Sequence, residues 1–166
     1  MKGYDYNQNG AYFITICVKG RHEVLGTVVG RGDLDTPCVQ LSECGLITKK
    51  NIELIGLHYI GVTVDQYVIM PNHLHMIISI CRDESTSDGE NGASRSPRPT
   101  NAVIPNIMKA FKNFTNKAVG FSLWQDSFHD RVIRDEAEYR RIWQYIDENP
   151  ARWEEDGYYR QGEQVK

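Results

Sequence analysis

The stretch Met70-Pro71-Asn72-His73-Leu74-His75-Met76-Ile77-Ile78-Ser79-Ile80 decides how the chain is read. Pro71 and Asn72 break what precedes them, since proline lacks a backbone donor and both residues favour turns. From His73 onward the pattern is that of a strand, whose side chains alternate between two faces. Leu74, Met76, Ile78 and Ile80 share one face and point to a core. His73 and His75 share the other, side by side. Upstream, Ile60–Met70 reads as a second strand, so the two segments form an antiparallel pair joined through Pro71-Asn72.

Working outward, Ala11–Val18 (AYFITICV) is rich in aromatic and β-branched residues and reads as a strand. Gly20, Gly26, Gly30 and Gly32 mark turns, with room for a short hairpin between them. From Val39 to Leu57 the residues Leu41, Gly45, Ile52 and Ile55 recur at helical spacing, with Leu46 and Leu54 beside them, and predict a helix. Ile104–Val119 predicts a second, with Ile107, Phe111, Phe114 and Ala118 on one face. A short fourth strand falls within Trp124–Ile133. Asp135 followed by Glu138 has the form of a capping box opening a helix over 136–148, which Asn149-Pro150 should end. The order β-α-β-β-α-β-α begins with the split β-α-β plan. It predicts an α+β fold: a ferredoxin-like βαββαβ antiparallel sheet with helices on one face, plus an extra C-terminal helix.

The 166 residues suit a single domain over 1–166, and a 40% hydrophobic fraction is too high for a disordered chain. No apolar run approaches the ~18 residues of a membrane span, and the first residues lack a signal region, so no membrane and a cytoplasmic location are expected. A net charge of -3 argues against a nucleic-acid partner until it is located along the chain. Asp83, Glu84, Asp88 and Glu90 lie in one unopposed acidic stretch, and 147–166 is also net acidic, leaving the remainder net basic. Residues 82–100 hold no aromatic or large aliphatic side chain and read as a mobile acidic loop. Residues 154–166 read as a polar tail. Lys109, Lys112 and Lys117 share a stretch without an acid, and Arg131 and Arg134 follow; such scattered bases also occur on plain solvated faces. The cysteines form no Cys-x-x-Cys pair, and Cys17 and Cys81 are expected to act as small core residues.

Two imidazoles on a rigid strand can bind one divalent ion, though the same spacing also serves two hydrogen-bonded surface histidines. On the last helix Tyr145 and Asn149 are one turn apart, Arg141 lies one turn before, and Ile142 and Ile146 form an apolar stripe to dock the helix on the sheet. Taken alone, Tyr145 could be a packing residue and Asn149 a helix terminator.

Together these residues resemble the small single-tyrosine HUH transposases, in which a His–hydrophobic–His motif accompanies one tyrosine, and most closely the REP-associated tyrosine transposases. The resemblance runs from Tyr4-Asp5-Tyr6 and Gly10-Ala11-Tyr12-Phe13-Ile14-Thr15, through His73-Leu74-His75, Lys109-Ala110-Phe111-Lys112 and Trp124-Gln125. It continues to Val132-Ile133-Arg134-Asp135-Glu136 and Tyr145-Ile146-Asp147-Glu148-Asn149-Pro150-Ala151-Arg152-Trp153. It implies that the last helix carries the nucleophile Tyr145, and that His73 and His75, with Asn149 as a third ligand, bind Mg²⁺ or Mn²⁺. The implied activity is nicking and strand transfer on single-stranded or hairpin DNA, as in the movement of repetitive palindromic elements, through a 5′-phosphotyrosine intermediate. The alternative is a hairpin-DNA-binding module that no longer cuts. Lys109, Lys112, Lys117, Arg131 and Arg134 are candidate backbone contacts by charge. Either a monomer or a homodimer fits. One departure is that relatives commonly carry an aromatic residue and then a histidine where this chain has His129 and Arg131.

Overall fold

The computed structural model describes residues 9–30, 36–81 and 103–159. The stretches 82–100 and 160–166, on which the loop and much of the tail expectation fell, lie outside the described residues.

Four strands form one sheet: β1 (Gly10–Cys17), β4 (Val62–Ile69), β5 (His73–Ile80) and β6 (His129–Ile133), in the order β4-β5-β1-β6 with every neighbour antiparallel. This is the ferredoxin-like order expected from the sequence. A separate hairpin pairs β2 (Gly26–Val29) with β3 (Cys38–Leu41). Helix α1 (Glu43–His58) therefore starts later than the apolar spacing suggested: Val39 and Leu41 belong to β3, and Ser42 caps the helix by accepting from Gly45 N at 3.1 Å. Gly45 cannot be replaced there, because a Cβ would sit 2.0 Å from the Leu25 carbonyl oxygen.

Helices α1 and α2 (Val103–Val119) cover one face of the sheet, closing a core around Tyr12, Ile14, Ile16, Leu74, Met76 and Ile78. On α2 the buried stripe is Ile104, Ile107, Met108, Phe111 and Thr115; Phe114 and Ala118, expected on it, are exposed. Cys17 is buried as expected, but Cys81, just past the end of β5, is exposed.

Helix α3 (Glu136–Glu148) lies on the opposite face, where Ile146 meets Ile77 and Ile133, and Tyr139 and Ile142 pack around them against Phe13 and Val68. Asp135 caps it, accepting from Glu138 N at 2.7 Å. Glu138 reaches back to Arg134 N at 2.9 Å and to the Arg131 guanidinium, tying the helix start to β6. A β-bulge between Val64 and Gln66 coincides with Asp65, whose carboxylate accepts from Tyr139 Oη at 2.9 Å and from Ser79 Oγ. The α-helix ends at Glu148, but the chain does not leave helical geometry as Pro150 suggested. Asn149 keeps φ -56 and ψ -41 and begins the 3₁₀ segment Asn149–Glu155, with Pro150 in its first turn. Proline is well accommodated in a first turn, where its missing donor is not needed.

Candidate active site

The β4–β5 turn builds the histidine pair. Val18 N donates to the Asn72 carbonyl at 2.8 Å, and Leu25 N to the Pro71 carbonyl at 2.9 Å, so the turn is clamped by the chain just after β1. His73 and His75 project from β5 toward α3, 0% and 1% exposed, with ring centroids 4.6 Å apart. The core face carries Leu74, Met76 and Ile78, as the alternation predicted.

Hydrogen bonds fix the state of His73. Asn72 Nδ2 donates to the carbonyls of Tyr158 at 2.9 Å and Arg21 at 3.3 Å. The Asn72 oxygen therefore faces His73, which donates to it from Nδ1 at 2.8 Å and keeps its lone pair on Nε2. His75 Nδ1 bonds Thr15 Oγ1 at 2.8 Å. Burial holds both imidazoles near a pKa of about 3, assisted for His73 by the nearby Arg21 charge and for His75 by His73, so both are neutral at ordinary pH. Neutral imidazoles whose second nitrogen is already engaged are the form that ligates metals.

Helix α3 brings Tyr145 to this pair within the same chain. Its Oη lies 3.3 Å from His75 Nε2, and its ring meets Phe13 edge-on at 6.1 Å. The phenol pKa is pushed up to about 12, first by burial and then by the Asp156 carboxylate, while a hydrogen bond with Asn149 pulls it down. One turn later Asn149 is buried with its Nδ2 donating to Asp156 Oδ2 at 3.1 Å. Three buried side-chain polar atoms among the described residues lack a hydrogen-bond partner, and two of them are here: His73 Nε2 and Asn149 Oδ1. Two lone pairs held out of water cost free energy unless something binds them, and a divalent cation fits that need. Tyr145 thus stands against His75, and Asn149 reaches His73 through Asp156.

The sequence missed two residues here. Asp156 and Tyr158 were assigned to a polar tail, yet the 3₁₀ segment folds them back. Asp156 Oδ2 lies 3.8 Å from His73 Nε2, and the Tyr158 ring covers His73 at 4.5 Å. A signal was present: Trp153, Tyr158 and Tyr159 are too aromatic for a solvated tail, and Trp153 is buried.

The candidate cations are more dispersed. Lys109, Lys112 and Lys117 ride on α2, across the sheet from Tyr145. Lys112 Nζ is occupied by the carbonyls of Gln125, Asp126 and Ser127 at 2.7, 3.0 and 2.9 Å. Arg131 is spent partly on Glu138, and Arg134 is exposed at the end of β6. His129 is exposed opposite Thr15, in the sheet row that contains His75. Arg141 and Arg152 line an open groove with Gln144, Tyr145, Glu148 and Asn149, and Arg152 pairs with Glu148 at 3.0 Å.

No family model matches the chain. A solved REP-associated tyrosine transposase, bound to a REP hairpin, superposes with a TM-score of 0.60 at 19% identity, over 96% of this chain and 76% of that one. The fold is thus that of a REP-associated tyrosine transposase. An uncharacterised protein of Haemophilus influenzae is 33% identical over 168 residues, 96% of this chain and 90% of the relative. The chain belongs to the same family as that protein. No helix of the described residues is long and apolar enough to cross a membrane.

Proposed function

We propose that the chain is a metal-dependent DNA strand transferase that nicks and rejoins single-stranded or hairpin DNA through Tyr145. One observation carries the reading: a phenol hydroxyl 3.3 Å from His75 Nε2, beside two buried ligand atoms, His73 Nε2 and Asn149 Oδ1, that have no partner. A divalent cation bound by His73, His75 and Asn149 would neutralise charge on the scissile phosphate, and mixed imidazole and oxygen ligation suits Mn²⁺ better than Mg²⁺.

The residues of the chain supply the rest. Asn72 holds His73 with its Nε2 lone pair toward the site, and Thr15 holds the His75 ring through Nδ1 so that its Nε2 faces Tyr145. Docking of α3 fixes the Tyr145 oxygen at the edge of that site, which replaces a chance encounter by a positioned attack. Tyr145 Oη gives up its proton as it bonds to phosphorus, the bond from phosphorus to the 3′ oxygen breaks, and that oxygen leaves as a hydroxyl by taking up one proton, so protons balance over the step. The product is a 5′-phosphotyrosine. A later 3′-hydroxyl reverses the step without an external energy source, because the ester retains the bond. The groove beside Tyr145 would take the strand, with Arg141 and Arg152 against its backbone. Lys109, Lys117 and Arg134 would meet only DNA extending beyond this groove.

The test is cleavage of an end-labelled hairpin oligonucleotide with Mn²⁺, comparing wild type with Tyr145→Phe. The reading expects metal-dependent cleavage that Tyr145→Phe abolishes. Tight hairpin binding without cleavage would instead make the chain a binding module. Cleavage to a free 5′-phosphate that survives Tyr145→Phe would make water the nucleophile.

A further inference from the structure

Asp156 sits seven residues beyond Asn149, across the 3₁₀ turn, with its side chain 3% exposed. Its Oδ1 accepts from Tyr158 N at 2.8 Å and its Oδ2 from Asn149 Nδ2 at 3.1 Å. Among the described residues no lysine or arginine pairs with it; its ion-pair neighbour is the neutral His73 at 3.8 Å. A carboxylate this deeply buried costs several kcal/mol unless a positive charge stands beside it. One ligand atom each from His73, His75 and Asp156 lie within 4.8 Å of one another. Donors around one ion with bonds of about 2.1 Å lie roughly 3 to 4 Å apart, so a small inward movement closes the set.

We propose that Asp156 is a direct ligand of the cation, joining His73, His75 and Asn149 from a segment outside the tyrosine helix. The inference rests on the reading that the histidine pair holds a divalent ion. The chain positions this ligand through Asn72 and Arg21. Asn72 holds His73 and the Tyr158 carbonyl with one amide group. Arg21, in a left-handed backbone conformation at φ 56, places its guanidinium 5.0 Å over the Tyr158 ring and 3.4 Å from the Gly157 carbonyl. The first histidine and the carboxylate segment are thereby held by one network. A set of two imidazoles, an amide and a carboxylate carries one negative charge and should favour Mn²⁺ over Mg²⁺.

The test is Mn²⁺ binding to the full chain without DNA, followed by titration calorimetry and the electron paramagnetic resonance of free Mn²⁺. Wild type, Asp156→Asn, His73→Ala and the exposed control Glu155→Gln are compared. Asp156→Asn should weaken Mn²⁺ about tenfold or more, His73→Ala at least as much, and Glu155→Gln not at all. Wild-type affinity in Asp156→Asn, with binding lost in His73→Ala, overturns the role of Asp156 and leaves the histidine site standing. Equal binding by wild type and His73→Ala overturns both. A Mn²⁺-soaked crystal of the wild type decides the matter even if the variant fails to fold: the ion either has an Asp156 oxygen in its coordination layer or does not.

Discussion

Ile146→Ala tests how the fold delivers the tyrosine. Ile146 is 1% exposed, and with Ile77 and Ile133 it forms the small apolar cluster between the sheet and α3. The substitution removes three buried carbons, each worth about 0.8 kcal/mol, and leaves a cavity that adds to the cost, for a total of about 3 kcal/mol. This cluster is separate from the core under α1 and α2, so the loss falls on the contact between α3 and the sheet. If α3 opens without global unfolding, its amides should exchange with deuterium roughly a hundredfold faster, since about 1.4 kcal/mol is a factor of ten. Ile52→Ala is the control: Ile52 is as buried but lies in the main core, so it should lower global stability without speeding local opening of α3. Exchange followed residue by residue by NMR reads both variants. Equal α3 exchange in the two variants, or none faster than wild type, would refute the claim that this cluster helps to dock the tyrosine helix.

Three further outcomes are expected. The folded pKa of His73 and His75, about 3, lies below the unfolded value of 6.5, so stability is complete above pH 6.5 and is lost as pH falls toward 3. At pH 5 the loss should be about 2 kcal/mol for each imidazole. Urea midpoints in EDTA at pH 7.5 and 5 measure it, and a midpoint unmoved by pH contradicts it. Asp135→Ala should cost about 1 kcal/mol by removing the cap of α3, read from the same midpoints. Lys112→Met should lower stability by about 1 to 3 kcal/mol through loss of its carbonyl contacts, yet leave the salt dependence of hairpin binding unchanged. A flatter salt dependence in that variant would show that Lys112 meets phosphate after all.

Local patterns of period two or four were legible; features made by chain return were not. The alternation through His73-Leu74-His75-Met76 fixed both the strand and the face of the imidazoles, because strand geometry leaves no other choice. Ile142 and Ile146 likewise marked the docking side of α3, whereas the role of Tyr145 came from the family resemblance and not from the spacing. Val39 and Leu41 were ambiguous, since two apolar residues two apart fit a strand as well as the edge of a helix, and only pairing with Gly26–Val29 decides. Phe114 fits the helical stripe by spacing, but α2 is rotated so that Met108 and Thr115 take the buried side. Asp156 was hidden for a different reason. It is one acid among several in a polar stretch, and what makes it special is the 3₁₀ turn after Pro150 and the grip of Asn72 on the Tyr158 carbonyl. Neither is encoded in its neighbours by any simple period.

Tyr145 should become covalently joined to DNA during the reaction. Full-length protein incubated with Mn²⁺ and a hairpin oligonucleotide, then digested and analysed by mass spectrometry, reads this directly. The expected result is a nucleotide phosphoester on the peptide containing Tyr145, absent in Tyr145→Phe and in EDTA. Cleaved DNA with Tyr145 unmodified, or an adduct on another residue, would contradict it.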